Sequence, residues 1–197
     1  MKKMTALLIG NTLASFAIAC VVKANFGCFS TTAANAAIAS WLGISIGMAG
    51  MFVELIMLSI ATYKGEGIGW TSIINATYGS LMLDVFLYLL PQNQFMLIGI
   101  LLLPIAWAIM GAVGLGENGS NTLMNSILKN SKLNISAIRA IQEFILLVIG
   151  FLGARNMITI FTIILVFSLG PLLEIIYKLI GFDPTKVEHK YLIKIKN

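Results

Sequence analysis

Residues 25–45 read NFGCFSTTAANAAIASWLGIS, and residues 114–136 read GLGENGSNTLMNSILKNSKLNIS. The second stretch repeats the first by pattern more than by identity, with a two-residue insertion. Asn25-Phe26-Gly27 through Leu42-Gly43-Ile44-Ser45 reappears as Gly114-Leu115-Gly116 through Leu133-Asn134-Ile135-Ser136. Downstream, Thr71 and Gly79 fall on Thr162 and Gly170, ninety-one positions later, and each copy ends with an acid in an apolar run, Asp84 and Glu174. Duplication of spans in a membrane chain is a sign of a transporter fold, with its site where the copies meet.

Composition supplies the membrane. Hydrophobic residues make up 58% of the 197-residue chain and charged residues 11%, against roughly a quarter charged in soluble domains. Mean hydropathy is +0.93. Such a chain cannot cover its surface with polar groups, so lipid is its solvent, and 197 residues suit about six spans with short loops. The net charge of +5 is spread over loop ends and the tail and does not point to nucleic acid. Lys2-Lys3 and Ala17-Ile18-Ala19-Cys20 resemble a signal peptide. The second copy begins with its own apolar span at 96–113, however, so 7–22 is read as its partner and as an uncleaved first span.

Apolar runs long enough to cross a core of about 30 Å cover 4–22, 44–62, 70–90, 94–113, 135–153 and 157–180. Pro104 and Pro171 fall inside spans, where a proline kinks a helix. The layout is one membrane domain: repeat one at 4–90, repeat two at 94–180, and a basic tail at 181–197. Two shorter segments remain, 30–41 and 120–130. About 12 helical residues rise only about 18 Å, too little to cross. Each follows a glycine turn with capping residues, Ser30-Thr31-Thr32 and Asn118-Gly119-Ser120-Asn121-Thr122. They read either as re-entrant half-helices with N-termini toward the membrane centre or as helices lying at the interface.

Lys and Arg set the orientation. With six spans and the N-terminus inside, eleven basic residues fall on the inner side (Lys2, Lys3, Lys64, Lys129, Lys132, Arg139, Lys178, Lys186, Lys190, Lys194, Lys196) and two outside, Lys23 and Arg155. Both termini are therefore expected in the cytoplasm. Three spans per copy is odd, which turns the copies into inverted repeats. Eight spans would make them parallel. The expected fold is an all-α polytopic membrane protein, six spans in two inverted three-span repeats, each with a short re-entrant or interfacial helix.

Carboxylates in hydrocarbon cost a few kcal/mol, so they should face protein or a watery cavity. Glu54 sits mid-span and reads as a coupling or substrate-contact acid, or else as a hydrogen-bonded packing residue. Arg139 and Glu143, four apart, can pair on one helix face, and Glu143 lies deeper. Gln142 points about 100° away from Glu143. Asp84 and Glu174 are candidates for lining a pathway or plain interface residues. Asn25, Gly27, Asn118 and Asn121, at the glycine turns and helix starts, complete the candidate substrate-binding set. Asn11, Thr12, Thr71 and Asn75 read as interhelical hydrogen-bonding groups. Glu54 and Glu143 are eighty-nine apart while nearby positions align at ninety-one, so the two acids do not superpose.

Other chemistry is thin. Cys20 and Cys28 have no metal-ligand spacing, and the lone His189, in the basic tail, reads as a solvated surface residue. There is no Ser–His or Cys–His pair to activate a nucleophile. Gly114-x-Gly116-x-x-Gly119 follows an apolar span and not a strand, so it is no dinucleotide loop. No enzyme activity, metal or cofactor is expected.

Lys23-Ala24-Asn25-Phe26-Gly27, Gly43-Ile44-Ser45-Ile46-Gly47, then Gly69-x-Thr71, Asn75, Gly79 and Asp84, and in the second copy Arg139 with Glu143 and Gly170-Pro171, carry a resemblance. On these residues the chain resembles the YczE/YyaS/YitT group of bacterial integral membrane proteins, up to about Ile180. It departs at Ser30-Thr31, where that group often has a proline, and at Arg155-Asn156-Met157-Ile158-Thr159. The resemblance implies the bacterial cytoplasmic membrane and a repeat pattern, and no substrate. The leading expectation is a small-solute transporter or permease. The alternatives are a substrate-binding membrane subunit of a modular, energy-coupling-factor-type importer and a membrane scaffold or regulator. The lipid bilayer is the expected partner, with a homo-oligomer or an energising subunit left open.

Overall fold

The computed structural model describes residues 2–92, 95–133, 135–183 and 186–193. Asn93, Gln94, Asn134, Lys194 and Lys196, used in the sequence reading, lie outside the described residues. Among the described residues, eight α-helices follow in order: α1 Lys2–Lys23, α2 Ser30–Leu42, α3 Ile46–Tyr63, α4 Trp70–Leu89, α5 Met96–Ala112, α6 Gly119–Asn130, α7 Ile135–Gly153 and α8 Ile160–Leu179. Among the described residues, helix is the only extended element; residues Ile68 and Ile193 form an isolated antiparallel bridge.

Local chemistry sets the boundaries. Ser45 caps α3 by accepting the N–H of Met48, and Asn118 caps α6 by accepting that of Asn121. Thr159 caps α8, where the Thr162 hydroxyl reaches back to the Thr159 N–H. Helix α2 stops at Gly43, whose left-handed φ of 66° suits a glycine. Within α4, residues Asn75–Gly79 form a π-helical turn. Pro104 and Pro171 lie inside α5 and α8.

Small residues bring the helices together. A Cβ added at Gly10 would meet Met110 and Ala106, and one at Gly99 would meet Ala17 and Val21. Hence α1 and α5 run antiparallel, and they make the most extensive helix–helix packing in the protein. Leu7, Ala17, Val21, Leu103 and Ala106, all fully or almost fully buried, form that core. Glycines 150 and 153 on α7 seat Ala33, Ala37 and Trp41 of α2. Glycine 119 seats α6 on Glu54 of α3. So the short helix of each half lies on the third helix of the other half, α2 on α7 and α6 on α3.

Helices α1, α3 and α4 are each long and apolar enough to cross a membrane, and α5 is a shorter apolar helix. Helices α7 and α8 have 19 and 20 residues. Large apolar side chains are exposed around the outside, among them Leu55 and Ile56 on α3, Phe144 and Phe151 on α7, and Ile164 and Phe167 on α8. A contiguous apolar exterior of this kind belongs in lipid. The architecture is that of an α-helical membrane protein.

A sharp test of this packing is Gly47, where a Cβ would collide with the Ser80 carbonyl and the Asp84 carboxylate on α4. Gly47→Ala should destabilise the protein by about 1–3 kcal/mol, as overpacking does. Ser59→Ala, at an exposed position, should stay within about 0.5 kcal/mol. Thermal unfolding in detergent micelles distinguishes the two, and equal midpoints would refute the close approach of α3 and α4.

Candidate functional site

Each short helix begins against the middle of a full-length helix. Glu54, near the midpoint of α3, accepts the Gly119 N–H at the start of α6 and, at 3.0 Å, the side-chain amide of Asn75. Asn75 is the first residue of the π turn in α4. Glu143, near the midpoint of α7, accepts the hydroxyl of Ser30, the first residue of α2. Free backbone N–H groups and the helix dipole make such a terminus electropositive, so a carboxylate is its natural counterpart. The two contacts are reciprocal: the acid of each half holds the short helix of the other.

One turn of α7 joins the two helix starts. Arg139 donates to Ser120 Oγ and Asn121 Oδ1, each at 2.8 Å, and Gln142 donates to the Ser120 carbonyl at 3.3 Å. Four residues on, Glu143 holds Ser30. The expected Arg139–Glu143 pair is thus replaced by contacts to α6 and α2. Arg139 is held by protein, on the start of α6. Gln142, expected to point elsewhere, reaches the same helix start as Arg139.

The register differs from the sequence alignment as well. Gly10 and Gly99, Gly27 and Gly116, Ser30 and Gly119, and Glu54 and Glu143 are each eighty-nine apart and occupy matching contacts. At the last helix the offset becomes ninety: Gly69 and Ser72 match Thr159 and Thr162. The two acids therefore do correspond. The loop contacts correspond too. At one end, Phe26 O accepts the Thr159 hydroxyl and the Cys28 N–H donates to Thr162 Oγ1. At the other, Leu115 O accepts the Thr71 N–H at 3.0 Å and Glu117 O accepts the Ser72 hydroxyl at 2.6 Å.

The remaining sequence candidates divide. Asn25 takes the left-handed turn after α1, at φ 59°. Gly27, at φ 123°, packs against Thr159 and Thr162, leaving no room for a side chain. Asp84 accepts Ser45 Oγ at 2.5 Å and the Gly47 N–H at 2.7 Å, holding the start of α3. Glu174 is exposed and pairs with Lys178 at 2.8 Å. Asn118 and Asn121 line a cavity beside the α6 start. Thr12 meets the Tyr78 hydroxyl at 2.9 Å, the interhelical bond expected of it.

That cavity, about 50 Å³, lies among Thr71, Trp107, Glu117, Asn118, Tyr177 and His189. Its wall includes the tail, which folds back over it. The Lys190 N–H donates to Gly114 O, Ile68 and Ile193 bond to each other, and Tyr191 packs on Gly67. His189, expected in solvent, is instead largely buried, with Nε2 3.5 Å from Glu117 Oε1. Glu117 also accepts the Asn125 side-chain amide at 2.5 Å. Nearby, Glu66 is buried and pairs with Lys129 at 2.6 Å. Sequence reasoning missed Glu117, Glu66 and His189. An acid directly before the helix cap, Glu117-Asn118-Gly119, was the available signal.

Burial raises the Glu117 carboxyl above its usual range, against the opposing pull of His189, Arg139 and the Asn125 amide, while Glu66 adds to the rise. A raised folded-state value means the fold holds the proton more tightly than the unfolded chain. Its contribution to stability is therefore lost as pH rises from about 4.5 upward. Glu117→Gln removes this term. The stability of the native protein relative to that variant should decline between pH 4.5 and 7 in micelle unfolding curves, and a constant difference would refute the buried setting of Glu117.

No curated protein and no solved structure matches the chain. The model of the family described as "Family of unknown function (DUF6198)" matches residues 1–178, from α1 almost to the end of α8 and thus including Glu54, Glu117 and Glu143 but not His189. The chain belongs to the DUF6198 family.

Proposed function

We propose that this protein is a small multi-pass transporter or permease of the bacterial cytoplasmic membrane, holding a small solute where α2 and α6 begin. In this reading α1, α3, α4, α5, α7 and α8 cross the bilayer, and α2 and α6 are re-entrant half-helices. One observation carries it. The starts of both short helices sit at mid-length on α3 and α7, each on a carboxylate of the other half. Broken or short helices meeting near the midplane, with their N-termini turned to polar groups, are the usual build of a secondary-transport site.

The antiparallel run of α1 and α5 supports inverted halves, because eight spans would make those two helices parallel. The same packing puts Lys2, Lys3 and Lys64 at the end of the bundle where the tail folds back, and Lys23 and Arg155 at the other, in keeping with cytoplasmic termini. The likeness to the YczE/YyaS/YitT group fits this layout.

Glu54 is the coupling acid in this scheme, since its two bonds tie α3 to both α6 and the π turn of α4. Proteoliposomes carrying an internal pH-sensitive dye, challenged with gradients of small amines, amino acids and carboxylates, test it. Solute-driven proton movement should appear with the native chain, fall at least about tenfold in Glu54→Gln, and persist in Glu174→Gln. Equal signals from the native protein and Glu54→Gln would remove Glu54 from the mechanism. No solute-driven signal at all would sink the transport reading.

A further inference from the structure

Residues 186–193 lie across one end of the bundle as a strap. The Lys190 N–H donates to Gly114 O, in the α5–α6 loop, at 2.8 Å. The N–H groups of Leu192 and Ile193 donate to Ile68 O, in the α3–α4 loop, at 2.8 and 3.2 Å, and the Ile68 N–H donates back to Ile193 O at 2.8 Å. The Tyr191 ring covers Gly67. Val187 and His189 line the cavity beside the α6 start, together with Thr71, Asn118 and Asn121 of the body.

The junction beneath the strap does not need it. Gly116 already lies against Gly69, the Leu115 carbonyl accepts the Thr71 N–H, and the Glu117 carbonyl accepts the Ser72 hydroxyl. The matching junction of the other half, Gly27 on Thr159 and Thr162, is made as closely by loop and helix alone. The family match likewise stops at residue 178, before the strap begins. What residues 186–193 add is cover over the cavity.

Their attachment is of a kind that opens. Leu192 and Ile193 are 47% and 55% exposed, and Lys186, Glu188 and Lys190 are exposed as well. The His189–Glu117 contact, at 3.5 Å, is long for a hydrogen bond. A segment with few buried apolar side chains, held mainly by backbone bonds near solvent, opens at a small fraction of the free energy that unfolds the whole.

We propose that residues 186–193 are an autoinhibitory strap: closed, they obstruct the cytoplasmic approach to the solute site at the α6 start, and their release from Gly114 and Ile68 opens it. The inference rests on the solute-site reading above and adds the regulation of that site.

Two full-length variants test it in opposite directions. Lys190→Pro with Leu192→Pro removes two of the strap's N–H donors, and Ile68→Cys with Ile193→Cys ties the strap down when oxidised. The accessibility probe is Thr71→Cys, at a cavity-lining position only 3% exposed, reacted with a charged maleimide in micelles. The proline pair should speed its labelling about tenfold, the expected effect of losing two hydrogen bonds. Cys20 and Cys28, both buried, should stay unlabelled in the same chain, which shows that the body remains folded. Solute-driven proton flux in proteoliposomes should rise in the proline pair, fall when the tether is oxidised, and return on reduction. Thr71→Cys labelling at one rate with and without the prolines would overturn the proposal, as would equal flux through the oxidised and reduced tether. Labelling that follows the strap in a chain with no solute-driven flux would keep the lid and discard transport. Flux alongside labelling indifferent to the strap would do the reverse.

Discussion

A helix that starts inside a protein presents backbone N–H groups with no helical acceptor and no water to replace one. This chain has two such helices, and their satisfaction organises everything around them. Glu54 and Glu143 must reach the starts of α6 and α2, so α3 and α7 must each lie against the opposite half. Glycines 119, 150 and 153 are what let those helices come close enough. The halves are consequently interlocked and not merely adjacent: neither can place its own short helix without the acid of the other. A hydrogen bond to a charged group contributes about 1.5–3 kcal/mol, and removing one partner leaves the other buried and unsatisfied. The core of α1 and α5 supplies bulk burial, but these polar contacts specify which helix sits where.

Much of this was legible in the residues. The glycine turns, the caps at Ser45 and Asn118, the two segments too short to cross, and the mid-span acids all follow from local patterns, because capping and apolar run length are local properties. What failed depended on tertiary competition. Arg139 and Glu143 have the spacing of a helix-surface pair, yet such pairs contribute only about 0.2–0.5 kcal/mol, so the charged bonds to α6 and α2 win. The ninety-one-residue alignment followed identities at Thr71 and Gly79, whereas contacts follow an offset of eighty-nine through the first three helices of each half. Conserving contact geometry needs small residues at given depths, and Gly10 with Gly99 shows this better than any stretch of shared letters.

His189 illustrates a different limit. A histidine among lysines looks solvated, and only the fold of the tail onto Gly114 and Ile68 brings it to Glu117. The halves also diverge at this point. Cys28 and Glu117 correspond in register and both lie beside the hydroxyl of the opposite half, Thr162 or Ser72. Cys28 is 1% exposed and its thiol lies 3.6 Å from the Met157 carbonyl, a closed junction. Glu117 instead lines a cavity and stands 3.5 Å from His189, with the Glu66–Lys129 pair nearby. The two matching positions thus differ: an enclosed thiol at one, a cavity-lining carboxylate at the other.

The closed junction at Cys28 has a practical side. Burial lifts its thiol to about 12, so at neutral pH almost none is thiolate, the form that reacts. Cys20 is wholly enclosed on α1. Both native thiols should therefore stay silent toward maleimides and spin labels in the folded protein. A cysteine introduced at any exposed position can serve as a single reporter without first stripping the chain of its own, which makes distance measurements across the two bundle ends feasible in the native background.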